Sequence, residues 1–303
     1  MNLYIIGNGF DIRHNLPSSY RDFCHYMQDT FPTEYERIGK LYFQNPSELW
    51  SDFERNLSKL DIARFVERNI DHWITEKTYQ IGNEFDDVYS FLKTYFHTWV
   101  IDRLSKVKTT PMLPLTSNDI YINFNYTNIL TSCYGIPKSR ILYIHGDTAD
   151  NEVFQPIVGH GESDEDVLKK IRKAQTEIGA IVSRALHNKS SNYTAESLSY
   201  IISDEINKYL SSLRKDTESI ICSNQDFFDA LAQNQESIKN AIILGHSMDE
   251  IDMPYFRKIS DTLRPDVQWF RDYRKGDVTN KDKKLTDFKN KMGFDALAYE
   301  NWY

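Results

Sequence analysis

The sequence predicts an α/β protein with a mostly parallel sheet and two helical insertions. Three observations predict this class. Short apolar segments typical of buried strands alternate with helical stretches along the chain. The first strand, at residues 3–6, runs directly into the glycine-rich turn Gly7-Asn8-Gly9. Small and polar residues also follow later strands, as they do where parallel strands end beside a ligand.

The order of the elements supports this class. Apolar runs predict strands at residues 3–6, 119–123, 141–144, 155–159, 241–244 and 267–273. Apolar residues at helical spacing predict helices at about residues 19–29, 48–60, 84–104, 129–134, 167–182, 198–210 and 286–292. Two helical blocks therefore interrupt the strands, at about residues 20–118 and 162–238, within a single α/β domain that covers residues 1–303.

Composition and charge exclude several classes of protein. With 40% hydrophobic and 14% aromatic residues, the chain has enough apolar material for a packed core. Its formal net charge of −8 makes nucleic acid an unlikely partner, because nucleic-acid-binding domains carry basic patches. Lys and Arg outnumber Asp at residues 271–284, and we interpret that segment as a solvated surface.

Membrane, disulfide and zinc-site signals are weak. No apolar run approaches the roughly 18 residues of a membrane span, and residues 1–6 lack the basic flank of a signal peptide. We therefore expect a cytoplasmic protein with no membrane partner. The three cysteines, Cys24, Cys133 and Cys222, are far apart and form no CxxC pair, so neither a cysteine zinc site nor a disulfide framework is expected.

Four predicted strands end in turns rich in small and polar residues. These turns are Gly7-Asn8-Gly9-Phe10-Asp11, Asn123-Phe124-Asn125-Tyr126-Thr127, His145-Gly146-Asp147 and Gly245-His246-Ser247. One such turn is weak evidence of a site. Because parallel strands end at the same edge of a sheet, four of them predict a single cleft there.

The glycine-rich turn has two interpretations. Glycines let a backbone approach a phosphate closely, and free N–H groups in such a turn face the anion. The dinucleotide fingerprint GxGxxG is incomplete, however, because Ile12 stands at the third glycine and the next strand begins only at Asp119. A standard dehydrogenase is therefore disfavoured, and a plain tight turn remains the alternative.

His145, Asn125 and Asp11 are the candidate catalytic residues. A histidine at a strand end titrates near neutral pH and suits a general base or a ribose contact, although it also suits a structural bond to a loop carbonyl. Asn125 has both a donor and an acceptor for a water or an amide, or it forms an Asx turn. Asp11 supplies a carboxylate that would stabilise developing positive charge. His160 and His246 are more typical of structural histidines.

In this order, the turns resemble the NAD-binding fold of sirtuins. Sirtuins carry a GAG turn, then GIPDFR, QNID, a catalytic His-Gly pair and GTSL. The matching residues here are Gly7-Asn8-Gly9, Leu16-Pro17-Ser18-Ser19-Tyr20-Arg21-Asp22-Phe23, Phe124-Asn125-Tyr126-Thr127, His145-Gly146 and Gly245-His246-Ser247-Met248. The resemblance implies a sirtuin-like, Rossmann-like fold. Thr127 replaces the Asp of QNID and the sirtuin zinc cysteines are missing, which disfavours protein deacylation and favours hydrolysis of NAD.

The whole chain resembles the AbiH family of bacterial abortive-infection proteins, which act against phage. The segments that carry the resemblance are IIGNGFD, LPSSYRDF, LWSDFE, FNYTNIL, IHGD, VGHGES and LGHSMDEIDMPYF, which together span residues 3–256. The resemblance implies an anti-phage effector that stays inactive until infection. A homo-oligomer is one form that such a resting state takes, and the phage-derived trigger is not readable from the sequence.

Together the two resemblances imply that NAD is the substrate and that no metal is required. NAD would be hydrolysed to nicotinamide and ADP-ribose, with Asn125, His145 and Asp11 as catalytic residues. The implied NAD contacts are Gly7, Asn8, Gly9, Phe10, Arg21, Thr127, Gly245, His246 and Ser247.

Two other functions remain open at this point. The same cleft suits a module that senses a nucleotide and signals to a partner through the helical insertions. A metal-dependent nuclease or nucleotidyltransferase is less favoured, because its candidate ligands follow no established metal-binding spacing. Those candidates are Asp11, Asp147, Glu162 and Asp164.

Overall fold

The structure, a computed structural model, describes residues 1–42, 47–76, 93–146, 157–187, 193–273 and 276–300. The chain divides into two compact units. The sheet unit comprises Met1–Ser19, His97–Ile157 and Asp216–Tyr303, and the helical unit comprises Tyr20–Phe96 and Val158–Lys215. The helical unit starts where the first expected insertion starts, whereas residues 97–118 and 216–238 belong to the sheet unit.

The described strands form one six-stranded sheet in which every pair is parallel. They are β1 (Asn2–Ile6), β2 (Ile120–Asn123), β3 (Ile141–Tyr143), β4 (Asn240–Leu244), β5 (Gln268–Asp272) and β6 (Leu297–Tyr299). Their order across the sheet is β3-β2-β1-β4-β5-β6. This confirms the predicted α/β class with a Rossmann-like parallel sheet.

The strand order places a topological switch point between β1 and β4. From β1 the chain builds outward through β2 and β3, and it then returns to the other side of β1 with β4. Leu3 is therefore paired with Ile120 on one side and with Ala241 on the other. In open α/β sheets, ligands bind beyond the carboxyl ends of the strands at such a point.

The described helices are α1 (Asn8–Arg13), α2 (Tyr20–Thr30), α3 (Pro32–Tyr42), α4 (Ser47–Ser51), α5 (Phe53–Asn56), α6 (Ile62–Glu76), α7 (93–99), α8 (Ile129–Ser132), α9 (Asp164–Leu186), α10 (Ala195–Ser212), α11 (Thr217–Ser223), α12 (Gln225–Gln233), α13 (Met253–Thr262) and α14 (Val278–Met292). A π-helical stretch, Val100–Leu104, continues α7. Short 3₁₀ turns lie at Lys138–Arg140, Gln235–Ser237 and Glu250–Asp252. None of these described helices combines the length and the apolar character needed to cross a bilayer.

Both faces of the sheet are covered by apolar groups, which explains why the strands read as continuous apolar runs. On one face Ile5 and Ile243 pack in a cluster with Phe256 of α13 and Phe288 of α14. On the other face a cluster around Tyr4 includes residues of α1 and α8 and of the 107–118 loop. The sheet is therefore packed between two apolar clusters, one on each face.

The helical unit has an aromatic core of its own. Phe23 of α2 is fully buried and meets three other rings edge-on. Its ring centroid lies 5.3 Å from that of Trp50, 5.7 Å from that of Phe53 and 5.1 Å from that of Phe96. Such edge-to-face pairs add stability beyond the apolar area that they bury.

Several predicted elements differ from the structure. Strand β6 was not predicted, because Leu297-Ala298-Tyr299 is too short to show an apolar pattern. Helix α14 begins at Val278, about two turns before the predicted start, because polar residues fill its exposed side. The predicted helix at 48–60 is two short helices, α4 and α5. Parts of the predicted helix at 84–104 and of the predicted strand at 155–159 lie outside the described residues.

We expect Phe23→Ala to lower the free energy of unfolding by about 3–5 kcal/mol, because it leaves a cavity among three packed rings. Tyr200→Ala is the matched control, since Tyr200 lies in α10 of the same unit and is 69% exposed. Its effect should stay within about 0.5 kcal/mol. Urea denaturation measures both values, and a loss below about 1 kcal/mol for Phe23→Ala would contradict the packing described here.

Candidate functional site

The two glycine turns at the switch point pack directly against each other. The N–H of Gly9 donates to the carbonyl oxygen of Gly245 over 2.7 Å, and the N–H of Gly7 donates to that of Leu244 over 2.9 Å. A Cβ on Gly7 would lie 2.5 Å from Cα of His246, and one on Gly245 would lie 2.1 Å from the nitrogen of Phe10. Gly245 also has a left-handed φ of 70°. Only glycine fits at these contacts.

This packing changes the expected role of the first turn. The N–H of Gly9 is bonded to Gly245, and the N–H of Phe10 donates to the carbonyl oxygen of Gly7 over 2.9 Å. The side-chain oxygen of Asn8 accepts a hydrogen bond from Ser18 over 2.5 Å. Two N–H groups of the turn, those of Gly9 and Phe10, are therefore already bonded within the protein, which leaves fewer free donors than an open phosphate cradle has.

Asp11 of α1 is the buried centre of the site. Its side chain is fully enclosed, and each carboxylate oxygen accepts one hydrogen bond of 2.7 Å, from the amide of Asn125 and from the hydroxyl of Thr127. Burial raises the pKa of Asp11 to about 7, although the bonds from Thr127 and Asn125 act in the opposite direction. The network therefore contains a carboxyl group that changes charge near neutral pH.

The turn after β2 is shaped by its own side chains. The backbone N–H of Asn125 donates to the side-chain oxygen of Asn123 over 3.1 Å, and the Asn123 amide donates to the carbonyl oxygen of Thr127 over 3.2 Å. The amide of Asn125 also donates to the carbonyl oxygen of Gly7 over 3.0 Å. Its Oδ1 accepts no hydrogen bond from the part of the chain that the structure describes. The amide group is thus anchored through its nitrogen.

The rings of His145 and His246 both meet the Phe124 ring edge-on, with centroid distances of 5.6 Å and 4.4 Å. The Nδ1 of His145 is 2.9 Å from the carbonyl oxygen of Phe124, so Nδ1 carries the proton in the neutral ring. The Nδ1 of His246 accepts from the N–H of Met248 over 2.8 Å, so its Nε2 carries the proton. The structure brings these two predicted residues together in opposite tautomers, and both are almost fully buried.

Residues that the sequence did not indicate hold the turn after β4. A carboxylate oxygen of Asp272 accepts from the N–H of Gly245 over 3.1 Å, while Lys284 donates to its other oxygen over 3.1 Å. Arg271 donates to the carbonyl oxygen of Ser247 over 3.2 Å, and Lys291 donates to that of Met248. The available signal was a charged pair, Arg271-Asp272, inside an apolar strand pattern.

A buried histidine also fixes helix α1. Nδ1 of His14 is 2.8 Å from the carbonyl oxygen of Phe10, and Nε2 is 2.5 Å from the hydroxyl of Tyr134. Burial lowers the pKa of His14, so the ring stays neutral. Because α1 carries Asp11, this pair helps to hold the carboxylate in place.

The remaining candidates lie elsewhere. Arg21 belongs to α2 of the helical unit. His160 is in the same unit, where its ring nitrogens pair with the carbonyl oxygen of Leu210 and the N–H of Glu162, which is a structural role. Asp147 lies outside the described residues. Within the described ranges, no three His, Cys, Asp or Glu residues are close enough to hold a metal ion.

A cavity of about 620 Å³ lies at the opposite edge of the sheet, near the amino ends of β5 and β6. Gln268, Trp269 and Leu297 are among its lining residues. None of the predicted site residues lines it. The chemistry-bearing side chains described above therefore lie at the carboxyl edge, away from this cavity.

The titration of Asp11 gives a testable pH dependence. Its pKa is about 7 in the folded protein and about 4 in the unfolded chain, so the folded state binds the proton more tightly. Its contribution to stability is therefore full below about pH 4 and is lost as the pH rises through about 7. We expect the stability of the wild type, measured relative to Asp11→Asn, to fall between pH 4.5 and pH 7.5 by at most about 1.4 kcal/mol per pH unit.

Chemical denaturation of both proteins across this pH range measures the difference. Taking the difference cancels the other carboxyl groups, which are common to both chains. A difference that does not vary with pH would show that Asp11 keeps an ordinary pKa.

The chain matches one known protein family over most of its length. The family described as "Bacteriophage abortive infection AbiH" matches residues 3–273. No curated protein and no solved structure matches the chain. Among the described strands, the match covers β1 from Leu3 onward and all of β2 to β5, and it includes the strand-end turns of the candidate site. The chain therefore belongs to the AbiH family of bacteriophage abortive-infection proteins.

Proposed function

We propose that this AbiH protein hydrolyses NAD to nicotinamide and ADP-ribose at the carboxyl ends of β1, β2 and β3. Membership of the family gives the chain a role in bacteriophage abortive infection, and loss of NAD is a direct way to halt an infected cell. The observation that carries the proposal is the buried network of Asp11, Asn125 and Thr127 beside the switch point. A buried carboxyl group with its own donors is typical of a catalytic centre.

The network gives Asn125 a defined task. Because its amide nitrogen is bonded to both Asp11 and Gly7, its oxygen is oriented away from them. That oxygen would accept a hydrogen bond from the attacking water or from the amide of nicotinamide. Asp11 is fully enclosed and does not touch the substrate, so it acts by orienting Asn125 and through its charge.

That charge favours the reaction. Departure of nicotinamide builds positive charge on the ribose, as in glycoside hydrolysis. A carboxylate in a low-dielectric site stabilises such charge more strongly than it would in water. Thr127 supports the ionised form of Asp11 by donating to it.

His145 would supply the base. Since its Nδ1 carries the proton that is bonded to Phe124, the lone pair of the neutral ring lies on Nε2. Nε2 would contact a ribose hydroxyl or take a proton from water. The turns at 7–10 and 245–247 would form the floor beneath the dinucleotide, where Gly7, Gly9 and Gly245 let the two turns pack against each other.

One observation favours the alternative of a sensor that binds a nucleotide without consuming it. The amide nitrogen of Asn125, the hydroxyl of Thr127 and the N–H of Gly9 are all used within the protein. A site whose donors are already bonded within the protein has fewer groups left to act on a substrate, which suits binding without turnover.

We expect His145→Ala and Asn125→Ala to fold normally and to reduce nicotinamide release from NAD by about 10²–10⁴-fold, the usual effect of removing a catalytic base or a positioning group. His25→Ala is the matched control, because His25 is an exposed histidine on α2 of the helical unit. It should keep the wild-type rate.

The assay is run both on purified protein and in phage-infected cells, because a defence enzyme needs its trigger. Cellular NAD should fall in infected cells with the wild type and should persist with His145→Ala. If NAD persists in both while it raises the melting temperature of the purified protein, the sensor is the correct function. If NAD neither falls nor binds, the proposal is wrong.

A further inference from the structure

Arg271 is a buried cation that the proposed function does not use. It is the fourth residue of β5, where it pairs with Ile243 of β4, and only 3% of it is exposed. One nitrogen, Nη2, donates to the carbonyl oxygen of Ser247 over 3.2 Å. The other two nitrogens, Nε and Nη1, are covered and have no hydrogen-bond partner in the described part of the protein.

A buried guanidinium whose N–H groups lack acceptors lowers the stability of the folded protein. A guanidinium group carries five N–H donors and keeps its charge in proteins. Burial lowers the pKa of Arg271, while Asp272, Asp287 and Asp249 raise it from a distance. None of these three carboxylates forms an ion pair with Arg271 among the described residues. A buried charge that lacks acceptors is destabilising, so it calls for another explanation.

The nearby carboxylates are already engaged. Asp272 accepts from the N–H of Gly245 and from Lys284, and Asp249 accepts from the hydroxyl of Ser247 over 2.8 Å. The contrast with Arg264 of the same unit is clear, since that side chain forms ion pairs with Glu236 and Asp266. Arg264 thus has carboxylate acceptors, whereas two nitrogens of Arg271 have no acceptor in the described part of the protein.

We propose that Arg271 is the anchor of a phosphate-binding site at the carboxyl end of β5, under the turn formed by residues 245–249. The planar guanidinium has two parallel donor pairs, Nε with Nη2 and Nη1 with Nη2, and either pair can donate to two oxygens of one phosphate once Nη2 is released from Ser247. Lys291, which donates to the carbonyl oxygen of Met248 and pairs with Glu250 over 3.6 Å, lies beside the same turn.

The position in the sheet fits a nucleotide phosphate. Strand β5 lies next to β4, on the far side of the switch point from β2 and β3. Ligands that straddle a switch point reach strand ends on both sides of it. Because Nε and Nη1 are covered, a phosphate reaches them only if residues 247–248 are displaced, which exchanges the bonds from Arg271 and Lys291 to the carbonyl oxygens of Ser247 and Met248 for bonds to the phosphate. The site does not depend on hydrolysis of NAD, since any phosphate-bearing ligand satisfies it.

The test measures the melting temperature of the full chain in inorganic phosphate and in NaCl of equal ionic strength. Phosphate at ten times its dissociation constant should raise the melting temperature of the wild type by about 2–4 °C above the NaCl value. Arg271→Met should lose this shift, and Arg271→Lys should need a phosphate concentration at least about tenfold higher. Arg264→Met is the matched control and should keep the shift, because that arginine is paired with Glu236 and Asp266.

A second readout separates ligand binding from a structural role. In NaCl alone, Arg271→Met should melt at or above the wild-type temperature, because an unpaired buried charge has been replaced by an apolar group. A lower melting temperature in NaCl, no phosphate shift in the wild type, or an undiminished shift in Arg271→Met would each overturn the proposal.

ADP in place of phosphate identifies the source of the group. If the phosphate belongs to a nucleotide, ADP produces the shift at a lower concentration than inorganic phosphate does. If ADP acts only at an equal or higher concentration, the site is one for free phosphate. These measurements require no NAD turnover, so failure of the proposed hydrolysis leaves them interpretable.

Discussion

The contact between two glycine turns is the constraint on which the carboxyl edge of the sheet depends. Gly9 donates to Gly245 over 2.7 Å, and each backbone occupies the space that a side chain of the other would need. This contact brings the ends of β1 and β4 together at the switch point. Because β1 also pairs with β2, the turn that carries Asn125 is brought within reach of Asp11. The buried polar network exists because the backbones approach so closely.

Buried charged side chains lie on both sides of this contact, and they differ in how completely they are hydrogen-bonded. On the β2 side, Asp11 collects donors from Asn125 and Thr127, and every oxygen of the carboxylate is satisfied. On the β5 side, Asp272 secures Gly245, while Arg271 is left with unbonded donors in the described structure. Asp11 is therefore fully hydrogen-bonded within the protein, whereas Arg271 keeps donors that a ligand could use. The two halves of the carboxyl edge differ in this respect.

The sequence was sufficient to predict the parallel sheet and the group of strand-end turns, because β1 and β4 are continuous apolar runs that end in glycine. It was not sufficient to show that the N–H of Gly9 is bonded to Gly245, since the partner lies far away in the chain. The burial of Asp11 also depends on packing that no local pattern reveals. Arg271 was missed because it begins a segment of many charges, residues 271–284, that we interpreted as a solvated surface, whereas only 3% of Arg271 is exposed.

The separation of the sheet into three chain segments has a consequence for how the protein is made. The side chains of Asn2 and Asn240 are hydrogen-bonded although they are 238 positions apart. Pairings of such long range slow folding, because a large loop must close before they form. On the ribosome, β1 emerges first and waits without its central partner β4 until most of the chain has been made. A nascent chain therefore has no switch point until β4 has been made, so the strand-end turns of the candidate site cannot come together before that strand is added.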